Sequence, residues 1–228
     1  MSVSGPWQAV SALVDKVRRA LYDYVRRQDH PVSREEAADA QRISRGLAAF
    51  HLDKLVDAGL LQATYQSPPG EPRGRGRTPK VYSVTGPDLS VMVPERRYDL
   101  VGEILADAIA ESPTDAGAAG LRIARTRGHQ IGADLRAAGD GPRDDSVEQE
   151  LGYACRALAL LGFEPRSTAG GRTRLRNCPF HALAVRQPEL VCGLNEEFVV
   201  GLLAGIGTSR LSARLAPAAG ECCVEING

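Results

Sequence analysis

The chain has 228 residues, enough for one large domain or two small ones, and its 43% apolar content supports a buried core and argues against disorder. The formal net charge is zero but unevenly spread: residues 1–86 hold 13 Lys/Arg against 9 Asp/Glu, a net of +4 that the remainder cancels. A basic amino half points toward nucleic acid, and no apolar run approaches the roughly 18–20 residues of a membrane span.

The first element expected is an amphipathic helix over residues 7–27, with Val10, Leu13, Val14, Val17, Leu21, Tyr24 and Val25 at helical spacing and arginines on the polar side. A short helix then starts at Ser33, where Glu36 three residues on makes a capping box. A third helix starts at Ser44, buries Ala48, Leu52, Leu55 and Val56, and stops at Gly59. Two short helices joined by a tight turn, the second basic at its start, are a helix-turn-helix. Two strands follow, "LLQATYQ" and "PKVYSVT", joined by "SPPGEPRGRGRT", whose Pro and Gly content excludes helix or strand interior. A hairpin with a basic tip placed there is a wing. Its Arg73, Arg75 and Arg77 alternate with glycines, so the backbone can lie against a phosphate groove while the guanidinium groups reach phosphate.

Residues 86–95 read as a linker, 95–111 as an amphipathic helix, and 115–139 as a helix weakened by its glycines. After "DGPRDD", a helix capped by Ser146 runs to about Leu161. Two short strands around a Gly-Gly turn lead into "NCPFHALAVRQPELVC"; two helices follow, and "RLSARLAP" with "ECCVEI" closes as a hairpin. The fold class expected is α+β in three parts: a winged helix-turn-helix domain over 7–86, a linker and helical dimerisation region over 87–140, and a small α+β sensor domain over 141–228.

In the third helix, Ser44, Arg45, Gly46, Ala49 and Phe50 present toward base edges, with Arg45 placed for guanine and the apolar Ala49 and Phe50 for thymine methyl groups. Lys54 and the wing arginines are expected on phosphate. The partner is double-stranded DNA, and a two-fold homodimer predicts an inverted-repeat operator. His51 is expected to be structural, one residue before core Leu52. "ISRGLAAFHLDKLVDAGLL" followed by "GRGRTPKVYSV" resembles the winged-helix domain of the ArsR-like and SufR-like bacterial regulators, a likeness that spans about residues 7–86.

Four of the five cysteines fall in the last quarter of the chain. The N-terminus lacks the pattern of a secretory signal, so a cytoplasmic location with reduced thiols is expected. Cys155, on an apolar helix, reads as core. Cys178 and Cys192 are separated by 13 residues, and 29 more lead to the Cys222–Cys223 pair, with His181 three residues after Cys178. No C-x2-C knuckle is present, so a zinc ribbon is disfavoured. Adjacent strand residues face opposite sides, so only one of Cys222 and Cys223 is expected in a given site.

"NCPFHALAVRQPELVCGLNEEF…GECCVEI" is similar to the carboxyl-terminal region of SufR-like regulators, which bind an iron–sulfur cluster and repress cluster-assembly genes. The resemblance implies Cys178, Cys192 and Cys222 as ligands, with Cys223 able to replace Cys222. Many members carry a further cysteine between the last two, where this chain reads "LLAGIGTSRL". The fourth position is thus open to His181, Cys223, a carboxylate or an exogenous ligand. The cofactor implied is an iron–sulfur cluster, 4Fe–4S ahead of 2Fe–2S; the alternatives are zinc, thiol chemistry or a small molecule bound without a cluster. Catalysis is not expected: Cys178 and His181 suggest a nucleophile and base, but no orienting third residue, G-x-S-x-G elbow or H-E-x-x-H accompanies them.

Overall fold

The computed structural model describes residues 6–66, 78–85, 90–139, 146–168, 172–218 and 220–228. The wing arginines Arg73, Arg75 and Arg77 lie outside the described residues. The chain divides into two compact units, residues 1–91 and 92–228. No helix among the described residues is long and apolar enough to cross a membrane.

The first unit holds α1 (Pro6–Ala12), α2 (Lys16–Arg26), β1 (Val32–Ser33), α3 (Arg34–Gln41), α4 (Arg45–Asp57), β2 (Leu61–Tyr65) and β3 (Lys80–Val84). The single helix expected over 7–27 is two. The Asp15 carboxylate accepts from the amides of Val17 and Arg18, each at 2.9 Å, and so caps a new helix inside an unbroken apolar period. Ser33 and Ser44 cap α3 and α4 as expected, their hydroxyls accepting from the amides of Glu36 and Leu47. Gly59, at φ 73°, ends α4. The sheet is antiparallel in the order β1-β3-β2, with Leu61 opposite Val84 and Tyr65 opposite Lys80. The fully buried Leu21, Val32, Leu52, Leu55, Leu61 and Tyr82 form the core, and the Tyr82 hydroxyl donates to Asp53 at 2.9 Å.

The second unit holds α5 (Tyr98–Glu111), α6 (Ala116–Ala137), α7 (Val147–Leu160), β4 (Pro165–Ser167), β5 (Arg172–Leu175), α8 (His181–Arg186), α9 (Pro188–Gly205), β6 (Ser212–Leu215) and β7 (Val224–Asn227). Its antiparallel sheet runs β4-β5-β7-β6, so the expected closing hairpin is present as β6–β7. α9 packs along α6 on one side and against β6 and β7 on another. The glycines that weaken α6 as an isolated helix are what let it pack. A Cβ on Gly132 would stand 2.5 Å from the Leu202 carbonyl oxygen, and Cβ atoms on Gly128, Gly201 and Gly205 would collide with the carbonyl oxygens of Phe198, Arg125 and His129. α5 starts at Tyr98, not at Glu95, because the backbone of 95–97 bonds to another loop described below.

Gly201→Ala is expected to destabilise the second unit by about 3 kcal/mol, because overpacking outweighs the roughly 1 kcal/mol that alanine gains in a helix. Gly117→Ala, whose Cβ would meet nothing within 4 Å, should instead be neutral or stabilising. Denaturant unfolding of the two variants checks the contrast.

Candidate DNA-reading face and cysteine pocket

α4 buries Ala48, His51, Leu52 and Leu55 and turns its other side to solvent. Ser44, Arg45, Gly46, Phe50 and Lys54 are exposed on that side and Ala49 is half-buried. Phe50 is 57% exposed and Leu47 41%, large apolar groups in water on a helix whose core face is already full. A Cβ on Gly46 would meet nothing, so packing within the chain does not require glycine there. Arg45 pairs with Glu35 of α3, and Lys54 pairs with Asp57 at 3.3 Å. Exposed pairs of this kind are worth at most about 1 kcal/mol, so both cations can exchange a carboxylate for a phosphate or a base edge at little cost. His51 is buried, as expected of a structural residue; its ring stands edge-on to Phe50, with centroids 5.2 Å apart.

In the second unit, Cys178, Cys192, Cys222 and Cys223 line one cavity of about 170 Å³, together with His181, Ala184 and Glu221. Cys178 comes from the loop after β5, Cys192 from α9, and the terminal pair from the approach to β7. The strand-alternation expectation for Cys222 and Cys223 fails because both precede β7, which begins at Val224, and both side chains face the cavity. His181 is exposed at the first residue of α8, a helix with no buried residue. Cys155 is partly buried on α7 and is not one of the residues lining the cavity.

The thiols act on one another's ionisation: Cys222 on Cys178, Cys178 and Cys223 on Cys222, and Cys223 on Cys192. Cys222, and then burial, hold the Cys178 thiol far above its ordinary range. The contact with Cys178 pulls Cys222 down, but Cys223 and burial outweigh it and the group is pushed up to about 11. Burial also pushes Cys192 up. Asn195, fully buried on α9, donates its amide N–H to the Cys222 sulfur at 3.1 Å, and its Oδ1 has no hydrogen-bond partner among the described residues. Sequence reasoning missed Asn195, although its place three residues after Cys192 puts both on one helix face. Among the described residues, no three His, Cys, Asp or Glu side chains are arranged to hold a single metal ion. The donor set is therefore four sulfurs spread along a cavity.

For the metal-free protein at pH 8, alkylation of Cys222 is expected on the order of a hundredfold slower than of a free cysteine, because the thiolate is the reactive form. Its rate should keep climbing toward pH 11. Rapid labelling at pH 8, read by peptide mass, would contradict the assigned environment.

Residues 13–62 match the family model of a helix-turn-helix domain. That span contains α2, α3 and α4 and ends within β2. No curated protein and no solved structure gives a significant match. The match and the α4 face together support a DNA-binding transcription regulator of the winged-helix kind.

Proposed function

We propose that this chain is a transcriptional repressor that binds DNA as a homodimer and holds an iron–sulfur cluster, 4Fe–4S ahead of 2Fe–2S, in the cysteine pocket of its second unit. The observation that carries the proposal is the meeting of four thiols from three remote segments in one cavity. Thiolates are soft donors suited to zinc, copper(I) or iron–sulfur centres. A lone zinc ion gathers its donors on a single point, whereas a cluster distributes its thiolates over separate irons; the likeness of the cysteine pattern to that of SufR-like regulators favours the cluster. Cys178, Cys192, Cys222 and Cys223 make a full set, with His181 at the mouth as a reserve donor. When bound, such a cluster supplies a redox-responsive centre that can be lost.

On the DNA side, Arg45 reads guanine, Ala49 and Phe50 meet thymine methyl groups, and Gly46 admits the backbone to the groove floor. Lys54 and the wing arginines Arg73, Arg75 and Arg77 neutralise phosphates. A two-fold dimer then reads an inverted repeat. The Cys178 loop, α9 and the approach to β7 are ordered together when their sulfurs share one centre. That ordering regulates only if it favours one dimer state over another. The shared cavity also allows a second reading, a metal-free regulator in which an external two-electron oxidant such as a peroxide takes Cys178 and Cys222 to a disulfide and is itself reduced.

Protein prepared without oxygen is expected to contain iron and acid-labile sulfide in equal amounts, with visible charge-transfer absorption. A colourless protein with stoichiometric zinc, or one free of metal with a Cys178–Cys222 disulfide after mild oxidation, would reject the cluster. Removing the iron should weaken binding at least tenfold to a duplex selected from a random library; equal binding would reject the sensing. Arg45→Ala should cost about 1–3 kcal/mol of discrimination at one base pair, read by competition between duplexes.

A further inference from the structure

The loop that carries Cys178 is bonded, residue against residue, to the segment by which the chain enters the second unit. Asn177 is buried, 7% exposed, and its amide nitrogen donates to the carbonyl oxygens of Gly162, at 2.5 Å, and Glu95, at 3.1 Å. Its Oδ1 accepts from the Arg96 guanidinium. The same Arg96 nitrogen donates to the Cys178 carbonyl oxygen at 3.1 Å, and the Arg97 amide donates to the Pro179 carbonyl oxygen at 3.1 Å. Three consecutive residues, 95–97, thus engage three others, 177–179, without either segment being a strand.

Besides these bonds, the Arg97 carbonyl oxygen accepts from the Val101 amide at 3.3 Å and the Arg97 guanidinium pairs with Asp99 at 3.4 Å. None of them is buried, none lies in a helix or strand, and no side chain caps the start of α5 at Arg97. The bonds that tie them to another part of the chain run to the two neighbours of Cys178 and to its own carbonyl group. The acceptors that Arg96 and Arg97 use are thus the peptide carbonyls of Cys178 and of the residue after it.

We propose that Arg96 and Asn177 are positioning residues that form a latch, passing the state of the Cys178 loop to the segment that leads back toward the DNA-reading unit. This rests on the functional reading above. With the loop pinned, residues 95–97 and the first turn of α5 are held. With the loop free, Arg96 and Arg97 lose their acceptors and the segment loosens. The latch therefore supplies what a sensor needs, a bond set whose strength differs between two states of one site.

The test uses the full chain and Arg96→Ala, with Asn177→Ala as the second variant. Iron-loaded protein and protein stripped by chelator are compared for affinity to a duplex selected from a random library by the loaded parent. The parent is expected to show at least a tenfold loss on stripping. Arg96→Ala should keep the parent's iron content and visible spectrum while its loaded-to-stripped ratio falls to about one, an effect that a merely structural residue would not produce. A variant that retains the parent's ratio overturns the latch. So does loss of iron from Arg96→Ala, since the residue would then support the pocket itself. If the parent holds no iron, or binds equally in both states, the functional reading fails instead. The latch is then decided by hydrogen exchange: the Arg97 amide should exchange at least tenfold faster in both variants while α9 is unchanged, and equal rates overturn it.

Discussion

The second unit depends on a place where two helices touch backbone to backbone. Gly128 and Gly132 of α6 face Phe198 and Leu202 of α9, and Gly201 and Gly205 of α9 face Arg125 and His129 of α6. Each glycine gives up about 1 kcal/mol of helix propensity against alanine, so roughly 4 kcal/mol must be recovered at the contact. Dispersion between the two backbones and Cα–H···O contacts, at about 0.5–1 kcal/mol each, are the terms available. What this close approach fixes is the place of α9, which carries Cys192 and Asn195 on one face and packs against the sheet that β7 completes. The separation of Cys192 from Cys222 and Cys223 is set by how α9 sits on β6 and β7, and on its other side carbonyl oxygens that leave no space for a Cβ leave little freedom for α9 to slide along α6.

The first unit meets a different constraint, a tight turn between two short helices. Arg42 takes the left-handed conformation at φ 54°, where a non-glycine residue costs about 1–2 kcal/mol, and the Ile43 amide returns to the Ala38 carbonyl oxygen at 3.0 Å. That turn presents the first residues of α4 outward. Behind them, Leu52 and Leu55 are fully buried, so α4 cannot rotate Phe50 and Leu47 into the core without expelling the leucines. Exposed apolar groups beside weakly paired cations make a surface with unspent contacts, and the floor of a DNA groove offers both methyl groups and acceptors.

Much of this was legible in the sequence. The serine caps of α3 and α4, the Gly59 stop, the paired strands after α4 and the closing β6–β7 hairpin all follow from local chemistry that needs no tertiary partner. The misses lie where tertiary contacts override the local pattern. The apolar period runs unbroken across Asp15, so only the carboxylate's own capping bonds reveal the break. The helix expected from residue 95 loses its first residues to the Asn177 side chain, a partner remote in sequence. The glycines of α6 look like weakness until α9 is placed beside them. At the pocket, spacing alone could not say which cysteines meet. Cys223 was set against Cys222 by a rule for strands that does not reach residues preceding the strand, and Arg96 carries no sequence signal for its position.

The four residues 177–180 show how one loop serves both the core and the surface. Phe180 is buried and meets Phe163 edge-on, with centroids 6.3 Å apart. Just before the loop, Leu175 is fully buried and its carbonyl oxygen accepts from the Cys222 amide at 2.8 Å. The loop is thus fastened at both ends to packed side chains and to the segment that bears the terminal cysteines. Between those fastenings, Asn177 spends its amide on backbone carbonyls and Pro179, lacking an N–H, offers only its acceptor. Fully packed interiors resist small displacements because every neighbour must move as well. Of the neighbours this loop has, Phe163, Phe180 and Leu175 are buried, whereas none of residues 95–97 is. On the latch proposed above, a displacement entering at Cys178 would be resisted on the packed side and taken up among the hydrogen bonds of residues 95–97.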